Sequence, residues 1–282
     1  MKKALEQSLK AKVDQIAKTR NLPFNDVWDM LVMERFLARI AHSNFKADFI
    51  FKGGFLLAQY IDLNRKTQDL DFLIKNLKTD AKSIEAAFHN ISMADLADGF
   101  EFKQVKSEVL SQEHMKFPGL RVSMLVYLGS MRSHLTIDIG YGDIVREKDF
   151  SFGVLGTKKG PIFEDAISLK VYPPESIFSE KLETIVFKGD LNSRMKDFHD
   201  IFLLIKSHLL EKNGLKKVIE QTFENRGTPL NKLPIHFNEN SLETLNERWA
   251  AHLEALDEKG QFPEHISQVL DVINDFVLKI IK

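Results

Sequence analysis

The chain has 282 residues, of which 44% are apolar and 28% are charged, and its 39 Lys and Arg residues nearly balance its 40 Asp and Glu residues. This composition excludes a wholly disordered, collagen-like or low-complexity protein, and the near-zero net charge argues against a protein that coats nucleic acid non-specifically. Because there is no cysteine, disulfides, thiolate zinc sites and cysteine nucleophiles are excluded.

Apolar periodicity predicts an α+β first part and a helical second part, with a change of character after Tyr172-Pro173-Pro174. We therefore predict two domains, residues 1–170 and residues 171–282. In the first, the predicted elements are helices at 4–19 and 26–42, a strand at 48–51, a helix at 55–61, a strand at 70–74, a helix from about 80 to the mid-nineties, and β-structure at 101–110, 120–128 and 133–139. In the second, helices are predicted at 175–188, 195–208, 214–225, 241–256 and 264–281.

Three helix starts carry capping signals. Asn25 is placed to cap the second helix, and Thr79 or Asp80 the helix after residue 80. Asn240, followed by Glu243, has the spacing of a capping box before the helix at 241–256.

No export or membrane signal is visible in the sequence. The segment after Met1-Lys2-Lys3 contains Glu6, Gln7 and Lys10, so it has no apolar signal core. No window approaches the roughly 18 apolar residues of a membrane span. A cytoplasmic protein without membrane contact is the prediction.

The first motif is Lys52-Gly53-Gly54, which follows a short apolar strand and precedes a helix. Two glycines there allow close approach of the backbone to a ligand, and free amides at a helix N-terminus favour an anion such as phosphate. A Gly-Gly pair is also common in ordinary tight turns, and this alternative stays open. Neither a P-loop nor a Gly-x-Gly-x-x-Gly pattern is present.

Asp69-Leu70-Asp71 opens a strongly apolar strand. In extended backbone, residues i and i+2 point to the same side, so the two carboxylates converge. Magnesium prefers such oxygen ligands and often holds substrate phosphates as well. The alternative is a solvated pair of acids at the start of a strand.

Asp138 is a third acid, within the apolar strand Leu135 to Ile139. Beside Asp69 and Asp71 it would complete a metal site or act as a general base, whereas alone it would be a satisfied polar group. Three acids on two strands together with a Gly-Gly turn indicate metal-assisted phosphoryl or nucleotidyl transfer.

The order of these motifs resembles the nucleotidyltransferase superfamily of the polymerase-β type and, more narrowly, the AbiEii/AbiGii abortive-infection toxin family. Four motifs in order carry the resemblance, over about residues 30–205. They are Phe51 to Leu57 (FKGGFLL), Arg65 to Phe72 (RKTQDLDF), Glu175 to Leu182 (ESIFSEKL) and Arg194 to Asp200 (RMKDFHD).

The resemblance implies a mixed-sheet nucleotidyltransferase domain with two N-terminal helices, followed by a C-terminal helical bundle that completes an active-site cleft. It implies Mg²⁺ as cofactor, an NTP as co-substrate, the 3′ end of a tRNA or another RNA as acceptor, and an antitoxin protein from a neighbouring gene. The metal ligands would be Asp69, Asp71 and Asp138, and Lys181 would contact the triphosphate and act in catalysis.

Other residues of the motifs are assigned to nucleotide binding: Lys52, Gly53, Gly54, Arg65, Thr67, Lys181, Asp197 and Asp200. Asp197 and Asp200 lie at i and i+3 on one helix, so they share a face. They would orient Lys181, Arg194 or a ribose, or simply form a salt bridge between helices. Arg65 would contact phosphates or pair with a metal-binding acid.

Three alternatives remain. The first is a nucleotidyltransferase that acts on a small molecule or a protein hydroxyl. The second is a catalytically silent module that binds an NTP or an antitoxin, and the third is a two-domain protein whose motifs match by chance. Zinc is not expected, because no His-x-x-x-His pair is present.

Overall fold

The computed structural model describes residues 2–110, 119–256 and 260–282. The chain forms two compact units, each built from more than one stretch of sequence. The first, here called the sheet unit, comprises Met1–Gln59, Thr67–Gly142 and Glu147–Val171. The second, here called the helical unit, comprises Tyr60–Lys66, Asp143–Arg146 and Tyr172–Lys282.

The first part of the chain contains four helices and nine strands among its described residues. The helices are α1 (Lys2–Arg20), α2 (Phe24–His42), α3 (Gly53–Tyr60) and α4 (Ala81–Ser92). The strands are β1 (Phe49–Lys52), β2 (Leu70–Ile74), β3 (Glu101–Leu110), β4 (Gly119–Leu128), β5 (Met131–Gly140), β6 (Lys148–Gly153), β7 (Gly156–Thr157), β8 (Gly160–Pro161) and β9 (Ala166–Val171).

Seven strands form one mixed sheet in the order β3-β4-β5-β2-β1-β9-β6. Strand β2 is antiparallel to β1 and parallel to β5, and β1 is parallel to β9. The short strands β7 and β8 pair with each other. This mixed sheet with its helices confirms the predicted α+β fold class with a mixed sheet.

Alternation along the central strands places large aromatic rings on one face, here called the apolar face, and places Lys52 and Asp71 on the other, here called the polar face, which also holds the buried Ile50 and Leu73. Phe51 on β1 is the register partner of Phe72 on β2, and Lys52 is the partner of Asp71. Phe49, beside Phe51 on the apolar face, lies 5.3 Å from Phe88 of α4 between ring centroids, and Phe88 stacks on Phe36 of α2 at 5.8 Å. Burial of these large rings against two helices fixes the register, because a shift by one residue would expose them.

Helix α2 carries buried charges into the core of the sheet unit. Arg39 donates to Asp98 through both terminal nitrogens at 2.7 and 2.8 Å, and Arg35 also donates to Asp98. Glu34 accepts the backbone N–H of Leu155 at 2.5 Å. Burial raises the pKa of Glu34 to about 7, although the Leu155 amide and Arg35 act in the opposite direction.

The helical unit contains the remaining described helices. They are α5 (Pro174–Lys188), α6 (Met195–Lys206), α7 (Leu215–Arg226), α8 (Glu239–Glu254) and α9 (Ile266–Ile281), with short 3₁₀ turns at Gly189–Leu191 and Leu230–Lys232. Arg226, at the end of α7, is buried between Asp143, Glu180 and Glu183 at 3.1–3.2 Å. The segment around Asp143 therefore belongs to the packing of this unit.

Several predicted boundaries change. Strands β6 and β9 were not predicted, and β9 pairs directly with β1. The prediction for Asn25 is wrong, because α2 begins at Phe24 after Pro23. The capping box at Asn240 is also wrong, because Asn238 caps α8 by accepting the Ser241 N–H. The Asp80 cap is confirmed: its side chain accepts the N–H of Ser83.

Over the part of the chain that the structure describes, no helix combines the length and apolar character needed to cross a bilayer.

Candidate functional site

The Gly-Gly turn lies directly against Asp71. Gly53 has a φ of +76°, in the left-handed region that glycine adopts without a steric cost. A Cβ built on Gly53 would lie 1.8 Å from Oδ2 of Asp71 and 2.6 Å from its Cβ. Since Gly53 and Gly54 open α3, the carboxylate of Asp71 lies beside the N-terminus of a helix. The close approach that the sequence predicted for a ligand is thus made, in this structure, to Asp71.

A row of charged residues crosses four neighbouring strands on the polar face. Lys52 on β1 is the register partner of Asp71 on β2, Asp71 of Asp138 on β5, and Asp138 of Arg121 on β4. Register partners have their side chains on the same face. The structure therefore brings Lys52, Asp71 and Asp138 together, as the motifs predicted, and adds Arg121 to them.

Arg121 is the residue that the sequence reasoning missed. Its Nε donates to Oδ1 of Asp138 and its terminal nitrogen to Oδ2, both at 2.8 Å, a two-point ion pair. The hydrogen bond to Asp138 raises the pKa of Arg121 further above its usual range. A single cation at an otherwise apolar strand, Leu120-Arg121-Val122, was the available signal. The hairpin register that pairs it with Asp138 is not visible in the sequence.

Asp69 and Asp71 remain the better candidates for metal ligands. Both are half-buried, and Asp69 immediately precedes β2. Among residues 2–110, 119–256 and 260–282, no three Asp, Glu or His side chains converge closely enough to hold a metal ion as they stand. Magnesium often takes only one or two carboxylates and completes its shell with water and phosphate oxygens. The donor set of Asp69 and Asp71 fits that pattern, whereas both oxygens of Asp138 are directed to Arg121.

The second group of predicted residues lies in the helical unit. Nζ of Lys181 on α5 lies 2.7 Å from Asp197 and 2.9 Å from Asp200, both on α6. Burial opposes the charged form of Lys181, but the two carboxylates outweigh it and raise its pKa. Burial likewise opposes the charged form of Asp200, but Lys181 and Arg65 lower its pKa to about 2. The salt bridge between helices, one of the two readings from the sequence, is present.

Two arginines complete this group. Arg65 donates from Nε and a terminal nitrogen to the two oxygens of Asp200, at 2.8 and 2.6 Å, and Nε of Arg194 donates to Asp197 at 2.8 Å. Together with Lys181 they give three cations against two carboxylates, an excess of one positive charge. The Arg194 side chain is 60% exposed, so the excess charge lies at a surface that an anion can reach. Arg65 thus pairs with Asp200.

His199 is buried beside this group and is neutral. Its Nε2 lies 2.7 Å from the carbonyl oxygen of Leu63, and its Nδ1 lies 3.0 Å from Nε2 of His252. A carbonyl only accepts, so His199 donates from Nε2 and accepts at Nδ1. Burial lowers the pKa of His199 to about 4. These contacts indicate a structural role for His199.

The predicted site residues therefore form two groups. The group in the sheet unit contains Lys52, Gly53, Gly54, Thr67, Asp69, Asp71 and Asp138. The group in the helical unit contains Arg65, Lys181, Asp197 and Asp200. Contact of any of these residues with a nucleotide stays a prediction.

Comparison with known proteins identifies a family over most of the chain. Residues 35–271 match the family described as "Nucleotidyl transferase AbiEii toxin, Type IV TA system". This match confirms the resemblance that the four motifs indicated. No significant match to a curated protein was found.

Two solved structures from Helicobacter pylori have a similar fold. JHP933 aligns with a TM-score of 0.51 at 13% identity, over 92% of this chain and 94% of that chain. A protein called a "putative nucleotidyltransferase" aligns with a TM-score of 0.50 at 13% identity, over 92% of this chain and 97% of that chain. At this identity the likeness shows the fold alone.

Proposed function

The chain belongs to the AbiEii family of nucleotidyl transferase toxins of type IV toxin–antitoxin systems, and from this premise we propose that it is a magnesium-dependent enzyme that transfers a nucleotide from an NTP to the 3′ end of an RNA, in particular a tRNA. The family establishes a nucleotidyltransferase. Magnesium, the NTP and the RNA acceptor are the proposal.

One observation carries it: Asp71 and Asp138 are register partners on adjacent parallel strands, and the backbone of the Gly-Gly turn approaches Asp71 so closely that a Cβ at Gly53 would overlap the Asp71 side chain. Such adjacent carboxylates repel each other unless cations compensate them. Here Arg121 compensates Asp138. A divalent cation bound by Asp69 and Asp71 would add further positive charge to this group of acids.

Each residue of the proposed site has its own role in the reaction. Asp69 and Asp71 would hold magnesium, which on binding supplies positive charge to the phosphates. The acceptor hydroxyl oxygen would form a bond to the α-phosphorus of the NTP, and the bond from that phosphorus to the leaving pyrophosphate would break. Asp138 would take the hydroxyl proton, which requires one of its oxygens to be released by Arg121. Lys181 would stabilise charge on the pyrophosphate, which requires its ammonium to be released by Asp197 or Asp200.

An antitoxin is the implied protein partner, since the family consists of toxins from toxin–antitoxin systems. We propose that this antitoxin is encoded beside the toxin and restrains its activity in the cell. The expected compartment is the cytoplasm, where NTPs and tRNA are present.

The test is label transfer with Asp71→Asn, which keeps the shape of the side chain and removes its charge. Purified protein is incubated with total RNA, magnesium and each labelled NTP in turn. We expect one NTP to label a tRNA-sized band, and Asp71→Asn to reduce that labelling at least ~100-fold. Asp149→Asn is the matched control, because Asp149 is an 82% exposed carboxylate on β6, and it should label as wild type does.

The same gel separates the alternatives. A labelled protein band would indicate a protein hydroxyl as acceptor, and label in a small soluble product would indicate a small molecule. NTP binding without turnover by wild-type protein would indicate a silent module. Labelling by Asp71→Asn at the wild-type rate would show that the metal-site assignment is wrong.

A further inference from the structure

The polar face of the sheet continues beyond the carboxylates onto an extension formed by β3, β4 and β5. The acids lie at the start of β2 and in the second half of β5. Residues 131–136 of β5 still pair with β4 but precede the part of β5 that pairs with β2. The three strands therefore extend past the acids as an antiparallel sheet in the same unit.

One face of this extension is covered and the other is exposed. On the covered side, Phe102 of β3 lies against Phe36 at 5.3 Å between ring centroids, and Trp28 donates to Ser133 at 2.5 Å. On the other side, His134 and Arg132 of β5 are exposed. In this extension, the face that is continuous with Asp138 is thus the face that remains open to solvent.

A β-bulge in β3 places two lysines on that open face. Lys103 is the register partner of Leu125, whereas Lys106 is the partner of Ser123, so two residues of β3 lie between these pairs where β4 has one. Without the bulge, Lys103 and Lys106 would point to opposite faces. Gln104, inside the bulge, adopts a left-handed φ of +54°, a strained conformation for a residue with a side chain.

The open face also carries an aromatic ring among its cations. Tyr127 on β4 pairs with Arg132 on β5 and with Glu101 on β3. Nζ of Lys103 lies 5.6 Å from the centre of the Tyr127 ring and 2.5 Å from Glu101. Three cations, Lys103, Lys106 and Arg132, thus share the face with one half-buried tyrosine and two acids, Glu101 and Glu108, of which Glu108 is the register partner of Arg121.

We propose that this open face, defined by Lys103, Lys106, Tyr127 and Arg132, binds the single-stranded end of the RNA acceptor. The cations pair with phosphates, and the tyrosine ring stacks on a base. Open sheet faces that combine aromatic and basic residues suit unpaired RNA, whose bases are free to stack. The inference rests on the proposed function, because it concerns the RNA acceptor of that reaction.

The test measures binding of a short labelled single-stranded RNA by fluorescence anisotropy, with EDTA and without NTP. We expect Lys103→Glu/Lys106→Glu to weaken binding at least ~10-fold and to reduce the slope of log affinity against log salt by about 1.4, since each phosphate contact on a single strand contributes ~0.7. The matched control is Lys78→Glu/Lys82→Glu, which makes the same change in net charge at exposed lysines outside the face and should stay within about twofold of wild type.

A separate pair of variants tests whether a base stacks on the Tyr127 ring. Tyr127→Ala should weaken binding roughly 5- to 150-fold, the range measured for loss of one base–aromatic stack, whereas Tyr127→Phe should bind as wild type does. Thermal unfolding of each variant checks that it folds. A paired duplex of the same sequence should bind more weakly than the single strand.

Equal RNA affinity for both double charge reversals would overturn the proposal, and so would a Tyr127→Phe loss as large as that of Tyr127→Ala. Neither result affects the proposed function if Asp71→Asn still abolishes label transfer. If wild type labels only non-RNA acceptors and binds no RNA, the RNA acceptor is wrong as well.

Discussion

Gly53→Ala tests the close approach between the Gly-Gly turn and Asp71. The substitution adds one methyl group, but that group would lie 1.8 Å from Oδ2, 2.4 Å from Cγ and 2.6 Å from Cβ of Asp71. Because the conflict includes Cβ, rotation of the carboxylate alone does not relieve it. Strand β2 or the start of α3 has to move.

The expected loss of stability has two parts. Alanine at a φ of +76° costs about 1–2 kcal/mol, and forcing a methyl group into occupied space costs about 1–3 kcal/mol more. The total, about 2–5 kcal/mol, should appear in the free energy of unfolding from urea titration. Label transfer should fall together with it, because Asp71 is displaced.

Gly227→Ala separates the two parts. Gly227 has a similar φ of +71°, and a Cβ there meets no atom within 4 Å. The free energy of unfolding of Gly227→Ala should therefore fall only by the cost of alanine at a positive φ, about 1–2 kcal/mol. In an Asp71→Gly background the clash is removed, so the cost of Gly53→Ala should fall to that of Gly227→Ala. Equal costs for Gly53→Ala and Gly227→Ala in the wild-type background would refute the reasoning.

Three further predictions concern buried charge. Lys181→Met should cost about 3–5 kcal/mol by leaving the two buried carboxylates of α6 short of a cation; thermal unfolding checks this, and a loss no larger than that of Lys188→Met would contradict it. The pKa of Glu34 is raised on folding, so stability falls as pH rises from about 4.5 through 7. Glu34→Gln should then be more stable than wild type at pH 8, by up to ~3 kcal/mol, and nearly equal at pH 4; a pH-independent difference would count against burial as the cause. The pKa of His199 is lowered to about 4, so stability is retained above its unfolded pKa of ~6.5 and falls by up to ~3 kcal/mol as pH drops to 4. His199→Gln should flatten that part of the urea-derived pH profile, and an unchanged profile would refute the assignment.

The sequence was sufficient for the parts of the fold that depend on local pattern. Alternation predicted β1, β2 and β5, and it placed Asp69 and Asp71 on one side of the chain. Asp71 and Asp138 lie next to each other because β2 and β5 pair in parallel, although the two residues are more than sixty positions apart in sequence. The local pattern does not predict this pairing, and only the family resemblance indicated it. The metal-binding and catalytic roles of Asp71 and Asp138 stay predictions.

Arg121 and β9 show why the rest was missed. The ion pair between Arg121 and Asp138 depends on the register of the β4–β5 hairpin, and no local signal fixes that register. Strand β9 pairs with β1 through residues 51 and 171, which are far apart in sequence, so no local pattern predicts this pairing. The capping errors at Asn25 and Asn240 have a simpler cause, since neighbouring residues compete for each cap and backbone geometry decides between them.

The division of the helical unit into three stretches limits how its chain can be cut or exchanged. A fragment of residues 172–282 would omit Arg65 and Asp143, which lie in the two short stretches. Asp200 would lose its two-point arginine partner, and Arg226 one of its three acids. Residues 172–282 therefore do not contain the whole helical unit. Any fusion, split or recombination at residue 171 would separate buried charges from the partners that neutralise them.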